Sequence, residues 1–308
     1  MIITWLTGGR GNQMFQYAAG LALAEHRRTV LKLDVGWFRE DPEYEPHNRY
    51  GLSCFNITEQ FAVREEIERV RGVTLTRTER WATGLARSLR LYQYANRYRS
   101  RPNLHRAESF EFYPGFFDQP DNTYLHGMWQ SERFFAPVAD LVRMHFSFRY
   151  PMQPSVADMM AKIRNSGPSA AVHFRRGDYV RNATFNSTIG VVGFDYYHRA
   201  MEMLRQEHPN IIFYLFSDDI DAIERDFRTT APCVFVRDVR PSHSYDKIRL
   251  MSACNHAIIS NSTFAWWGAW LNPDSQKTVI APDPWFAGKI HNDRDVVPTS
   301  WLRVPATS

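Results

Sequence analysis

From residue 170 onward the chain repeats one pattern: a short, nearly uninterrupted apolar run, a turn, then a helical stretch. The runs are 170–174, 211–216, 233–236, 257–259 and 278–281, and helical stretches at 196–207, 220–228, 245–253 and 264–271 separate them. A strand wetted on one face alternates apolar and polar residues, whereas a strand covered on both faces is apolar throughout. Such runs alternating with helices predict an α/β domain with a parallel sheet between helical layers. Ligands of such sheets sit beyond the carboxyl ends of the strands, and that rule says where chemistry is to be sought.

The start of the chain has the same grammar in miniature. Ile2 to Leu6 is apolar and β-prone, Gly8-Gly9-Arg10-Gly11 breaks it, Asn12 to His26 reads as helix, and Thr29 to Leu33 reads as a second strand ending at Asp34. The middle, about 36–150, is irregular. Pro151, Pro154, Gly167 and Pro168 bracket one short helix and mark a domain boundary. The expected organisation is an N-terminal domain over 1–155, a second α/β domain over 156–285, and a tail over 286–308 that packs back on the first.

Composition narrows the class. The 308 residues are 44% apolar and 23% charged, which excludes collagen-like, coiled-coil and largely disordered chains. Cys54, Cys233 and Cys254 are odd in number and far apart, so neither a disulfide framework nor a structural zinc site is expected. The first residues lack the basic start and apolar stretch of a signal peptide, and no window holds about 18 uninterrupted apolar residues. A cytoplasmic protein is expected.

The net charge of +4 is a local excess: between Arg64 and Arg106 lie eleven arginines and four glutamates. Trp81, Leu85, Leu89, Tyr92, Tyr94 and Tyr98 recur there roughly every three to four residues. Two readings stand: a basic amphipathic helix at the inner face of an anionic membrane, or a surface helix whose apolar side is core. No helix-turn-helix, zinc-finger or RNA-binding spacing is present, so nucleic acid is not an expected partner.

Three strand-end loops carry unusual content. The first is Gly8-Gly9-Arg10-Gly11-Asn12-Gln13, whose glycines permit close backbone approach and whose following helix offers N–H groups to an anion. Its spacing is neither a P-loop nor the dinucleotide fingerprint. The second is His173-Phe174-Arg175-Arg176-Gly177-Asp178. Guanidinium forks at a buried strand's end bind phosphate bidentately and stay charged at any working pH. Alternation puts His173 and Arg175 on one face and Arg176 on the other, with Asp178 as an ion-pair partner. The third, Ser260 to Gly268, follows a buried strand and opens a helix, so Ser262 or Thr263 can cap it and its amides can hold an anion. A cationic and an amide-built anion site in one crevice suit a diphosphate. Asp218-Asp219-Ile220-Asp221 starts a helix, where acids are expected without a metal; no metal site is expected.

Gly8 to Ala18, His173 to Val180 and Ser260 to Ala269, with His126-Gly127-Met128-Trp129-Gln130-Ser131-Glu132, together resemble glycosyltransferase family 11, the α-1,2-fucosyltransferases. The resemblance implies a GT-B architecture of two Rossmann-like domains facing a cleft. It implies inverting, metal-independent transfer of L-fucose from GDP-β-L-fucose to the 2-hydroxyl of a terminal galactose, in an O-antigen or similar glycan. By similarity Arg175 holds the β-phosphate beside Ser262, Thr263 and Phe264, with Arg176 also on the donor. His173 and Asp246 read the guanine edge, and Asn12 faces the pyrophosphate or fucose. In the α-1,6 relatives an acceptor base stands ten residues past the motif histidine; here that position is Ala183, which leaves Asp178 as a candidate and the base unassigned. A GDP-fucose transferase of other linkage and a non-catalytic nucleotide-sugar binder are the alternatives.

Overall fold

A computed structural model describes residues 1–39, 49–71, 104–107, 109–176, 190–237, 244–288 and 292–306. The chain forms two compact units, Met1–Phe146 and Ser147–Ser308. The division precedes the helix that opens at Pro154, so that helix belongs wholly to the second unit.

The first unit holds β1 (Ile2–Trp5), α1 (Arg10–Arg27), β2 (Leu31–Asp34), α2 (Arg64–Arg71), β3 (Leu104–Arg106), β4 (Thr123–His126) and α3 (Ala139–His145). Its sheet runs β2-β1-β4-β3 with every pairing parallel. Helix α1 lies on one face, where the Thr4 hydroxyl donates to the Gln16 carbonyl at 3.1 Å. Helix α2 covers the other, burying Val70 against Ile3 and Tyr124. The apolar side of α2, the start of the arginine-rich segment, is therefore core. Residues 72–103 of that segment lie outside the described residues.

Strands β3 and β4 fall in the stretch that reads as irregular. They have three and four residues, and Thr123, His105, Arg106 and His126 interrupt any apolar run. Parallel pairing of β4 to β1, and of β3 to β4, makes them strands, an interaction that a local pattern does not report.

The second unit is larger and regular. It comprises α4 (Pro154–Asn165), β5 (Ser169–Phe174), α5 (Phe194–Glu207), β6 (Ile212–Ser217), α6 (Ile220–Asp226), β7 (Cys233–Phe235), α7 (Asp246–Met251), β8 (His256–Ile258), α8 (Thr263–Trp270), β9 (Val279–Asp283) and β10 (Leu302–Pro305). The sheet order is β10-β9-β8-β5-β6-β7, all parallel. Counted from β5 this is the 3-2-1-4-5-6 order of the Rossmann sheet. The α/β class and the Rossmann-like build expected from sequence are thus present in the structure. Within the stretch expected as a C-terminal tail lies β10, whose Leu302–Pro305 pairs with Ile280–Asp283 of β9. An edge strand of sequence Leu-Arg-Val-Pro has too little apolar content to announce itself.

Alternation along β5 divides its neighbours. Ala170, Val172 and Phe174 face a core shared with Tyr197, Met201 and Leu204 of α5 and Ile223 of α6. On the other face the Tyr214 hydroxyl of β6 reaches the Lys162 carbonyl of α4. Helix α8 is apolar all round, and Ala265 to Trp270 are buried. Gly268 lets it lie against α7: a Cβ there would stand 2.6 Å from Met251 Cε and 3.1 Å from its Cβ. Trp266, Trp267 and Trp270 are all core, and the Trp266 indole donates to the Val296 carbonyl at 2.8 Å. Among the described residues, no helix is long and apolar enough to cross a membrane.

Candidate active site

In the second unit the chain runs from β5 outward to β6 and β7, then returns to β5's other side as β8. Strand order reverses between β5 and β8, and their carboxyl ends border the crevice that such a reversal leaves. His173 sits near the end of β5, buried at 4% exposure, with Nδ1 2.9 Å from the Ser260 hydroxyl after β8. Its ring lies 6.1 Å from that of Phe264 in α8. The second and third loops singled out in the sequence therefore meet, although 87 residues separate His173 from Ser260.

Burial pushes the His173 imidazole down to about 3; Asp218 opposes that shift, while Arg175 and Lys247 press the same way. A ring with that value is neutral at working pH, so it offers one donor nitrogen and one acceptor nitrogen. Such a ring suits reading a hydrogen-bonding edge and does not suit neutralising a phosphate.

Arg175 follows β5 and pairs with Asp218 at the end of β6, Nη1 to Oδ2 at 3.1 Å, with side-chain exposures of 21% and 16%. The guanidinium is half-buried and reachable. Arg176 leaves on the opposite side, as alternation requires, and its guanidinium lies 4.7 Å from the Phe194 ring centre of α5. Its backbone N–H donates to Asp218 Oδ1 at 2.9 Å. The carboxylate of Asp218 thus serves both arginines. The Asp218-Asp219 pair splits its work: Asp219 caps α6 by accepting from the Ala222 amide at 3.2 Å, and Asp218 turns to the arginines. From sequence both read only as helix-start acids. Asp178, the expected partner and candidate base, lies outside the described residues.

At the start of α8, Ser262 occupies the cap position with extended dihedrals but its side chain makes no cap hydrogen bond. Thr263 and Phe264 form the first turn. Asp246 opens α7 at 3% exposure, 3.5 Å from Arg249, whose guanidinium also donates to the Tyr150 carbonyl at 2.7 Å and lies over Phe148. Lys247 beside it donates to the Ser217 carbonyl at 2.8 Å. Among the described residues, no three His, Cys, Asp or Glu side chains group as a metal site.

Asn12 belongs to the first unit, in the first turn of α1. Its Oδ1 accepts from Gln130 Nε2 at 3.1 Å, and its amide lies 2.8 Å from where a Gly8 Cβ would stand. Gly8 has φ +71°, so glycine is required there by both conformation and space. The neighbouring glutamines are structural. Gln13, fully buried, donates to the carbonyls of Gly8 and Arg49 and accepts from the Gly51 amide, and Gln16 accepts from the Thr7 amide at 2.9 Å. Gln16 also reaches Met128 Sδ at 3.7 Å. Hence α1 and the 126–132 segment touch twice, through Asn12–Gln130 and Gln16–Met128.

The profile of Glycosyl transferase family 11 matches residues 107–304, which include the strand-end arginines and the α8 turn. The chain belongs to this family. An Escherichia coli alpha-1,2-colitosyltransferase is 29% identical over 99% of this chain and 99% of its own length. The O-antigen biosynthesis glycosyltransferase WbnK of Escherichia coli is also 29% identical, over 97% of this chain and 99% of its own. Human galactoside alpha-(1,2)-fucosyltransferase 1 is 27% identical over 48% of this chain and 42% of its own. Family 11 membership makes this chain a glycosyltransferase of fucosyltransferase-like type.

Proposed function

We propose that this family 11 enzyme transfers L-fucose from GDP-β-L-fucose to the 2-hydroxyl of a terminal galactose, with inversion, in building an O-antigen or similar glycan. One observation carries the donor assignment: a half-buried guanidinium, Arg175, at the same strand reversal as the neutral His173 and the Ser262–Phe264 helix start. As fucose leaves, its ring gains oxocarbenium character and negative charge gathers on the departing diphosphate. A fixed guanidinium and helix-start amides oppose that charge without needing a metal, since they are already oriented when it develops. In this assignment Arg175 takes the β-phosphate, Ser262, Thr263 and Phe264 stand alongside, and His173 and Asp246 read the guanine edge.

Arg176 acts on the donor only indirectly in this assignment, since Phe194 engages its guanidinium. Asp178 remains the candidate base for the acceptor hydroxyl, the galactoside is assigned to the first unit, and Asn12 keeps the role the family resemblance implies, toward the pyrophosphate or fucose. Turnover with GDP-fucose and a panel of β-galactosides, with product linkage read by NMR, tests the reading. An α-1,2-fucosyl galactoside is the expected product; a different linkage, or donor binding without transfer, refutes it.

A second donor has support from the full-length likeness to a colitosyltransferase. Colitose is the 3-deoxy counterpart of L-fucose. A site that hydrogen-bonds the 3-hydroxyl rejects the deoxy sugar by about 10⁴-fold, whereas an apolar wall there favours it by about 10–200-fold. Comparing kcat/KM for the two GDP-sugars separates these cases.

A further inference from the structure

Asp218 has no part in the donor assignment above, yet it is the side chain that both motif arginines share. We propose that Asp218 is a positioning residue for sugar transfer, holding the Arg175 guanidinium in one orientation so that it meets the leaving diphosphate already aligned. The proposal rests on the donor reading and deepens it.

The geometry is that of a clamp mounted on backbone. Oδ1 accepts from the Arg176 amide at 2.9 Å, which fixes the carboxylate to the end of β5. Oδ2 then holds Arg175 Nη1 at 3.1 Å. The base of the clamp is tied down as well, since the Ser217 hydroxyl accepts from the Asp219 amide at 3.0 Å and the Ser217 carbonyl accepts from Lys247. An arginine side chain carries about 2 kcal/mol of rotamer entropy, and a half-exposed one at a strand end samples many orientations unless something holds it.

Two further considerations separate positioning from fold maintenance. The β5–β6 ladder is already registered from Ser169↔Ile212 to Phe174↔Ser217, so the two strands do not need the ion pair to stay together. A carboxylate next to an anion site also weakens the net attraction for a diphosphate. A site selected for charge alone would omit it. Its presence fits a site in which orientation at the transition state matters more than ground-state affinity.

The test compares wild type with Asp218→Asn and Asp218→Ser, and combines each with Arg175→Lys. Affinities for GDP and GMP are measured by calorimetry and kcat with GDP-fucose. The expected result is a kcat lower by about 10–100-fold with GDP affinity within about threefold of wild type, as loss of alignment predicts. Because Asp218 acts through Arg175, the double variants are expected to be no slower than Arg175→Lys alone. Near-normal kcat in the single variants, a parallel loss of GDP and GMP affinity, or multiplying effects in the double variants overturns the proposal. If the wild-type chain binds GDP no better than GMP, the donor reading falls first and the proposal with it. A wild type that prefers GDP beside unimpaired Asp218 variants overturns the proposal alone.

Discussion

Replacing Arg175 by lysine separates the charge at the end of β5 from its shape. The stability effect is small: the partner Asp218 stays 16% exposed, the substituent remains cationic, and a partly solvated ion pair is worth about 1 kcal/mol or less. For a unit of this size that is a Tm change of about 2–4 °C at most. The rate effect is larger. Lysine is a point charge with rotatable donors and cannot fork across two phosphate oxygens while also keeping Asp218. Losing one preorganised donor to a developing oxyanion costs about 10²–10³-fold in kcat, or about 2.7–4 kcal/mol. Turnover measured by GDP release and unfolding followed by circular dichroism give the two numbers on one preparation. A kcat within threefold of wild type, with Tm unchanged, would show that the guanidinium does not face the leaving group and would refute the reasoning.

Other perturbations test the scaffold around the site. Gly268→Ala drives a methyl into Met251 and is expected to cost about 1–3 kcal/mol, seen as a Tm loss of several degrees. The buried His173 has its pKa depressed in the folded state, so the unfolded chain binds a proton that the folded one refuses between about pH 6.5 and 3. Its contribution to stability is whole above pH 6.5 and lost as pH falls through that window, by on the order of 2–3 kcal/mol at pH 4.5. His173→Gln is therefore expected to flatten the acid limb of urea-unfolding stability relative to wild type; an unchanged limb would mean the imidazole titrates normally. Gln13→Ala strands two carbonyls and an amide, at an expected cost on the order of 2–4 kcal/mol. Limited proteolysis should then cut near residues 49–51 before the second unit is attacked.

The regular half of the chain was legible because its physics is local. Strands buried on both faces must be apolar throughout, so β5, β6, β8 and β9 stand out as runs, and their helices carry the opposite periodicity. The arginines and the Ser260–Phe264 turn could be singled out because strand ends in a parallel sheet are where ligands lie. Short strands such as β3, β4 and β10 carry no such pattern. Their identity comes from a neighbour's hydrogen bonds, and that neighbour is remote in the chain.

Which residue types stand at the strand ends is written in the chain, and alternation already sends Arg175 and Arg176 to opposite sides. What each side chain meets emerges only on folding: Asp218 for Arg175, Phe194 for Arg176, and a buried Ser260 for His173. Local patterns encode burial and dihedral preference, which act between neighbours in the chain. Ion pairs and ring contacts depend on the order in which strands assemble into a sheet, and that order is settled by packing the whole unit at once.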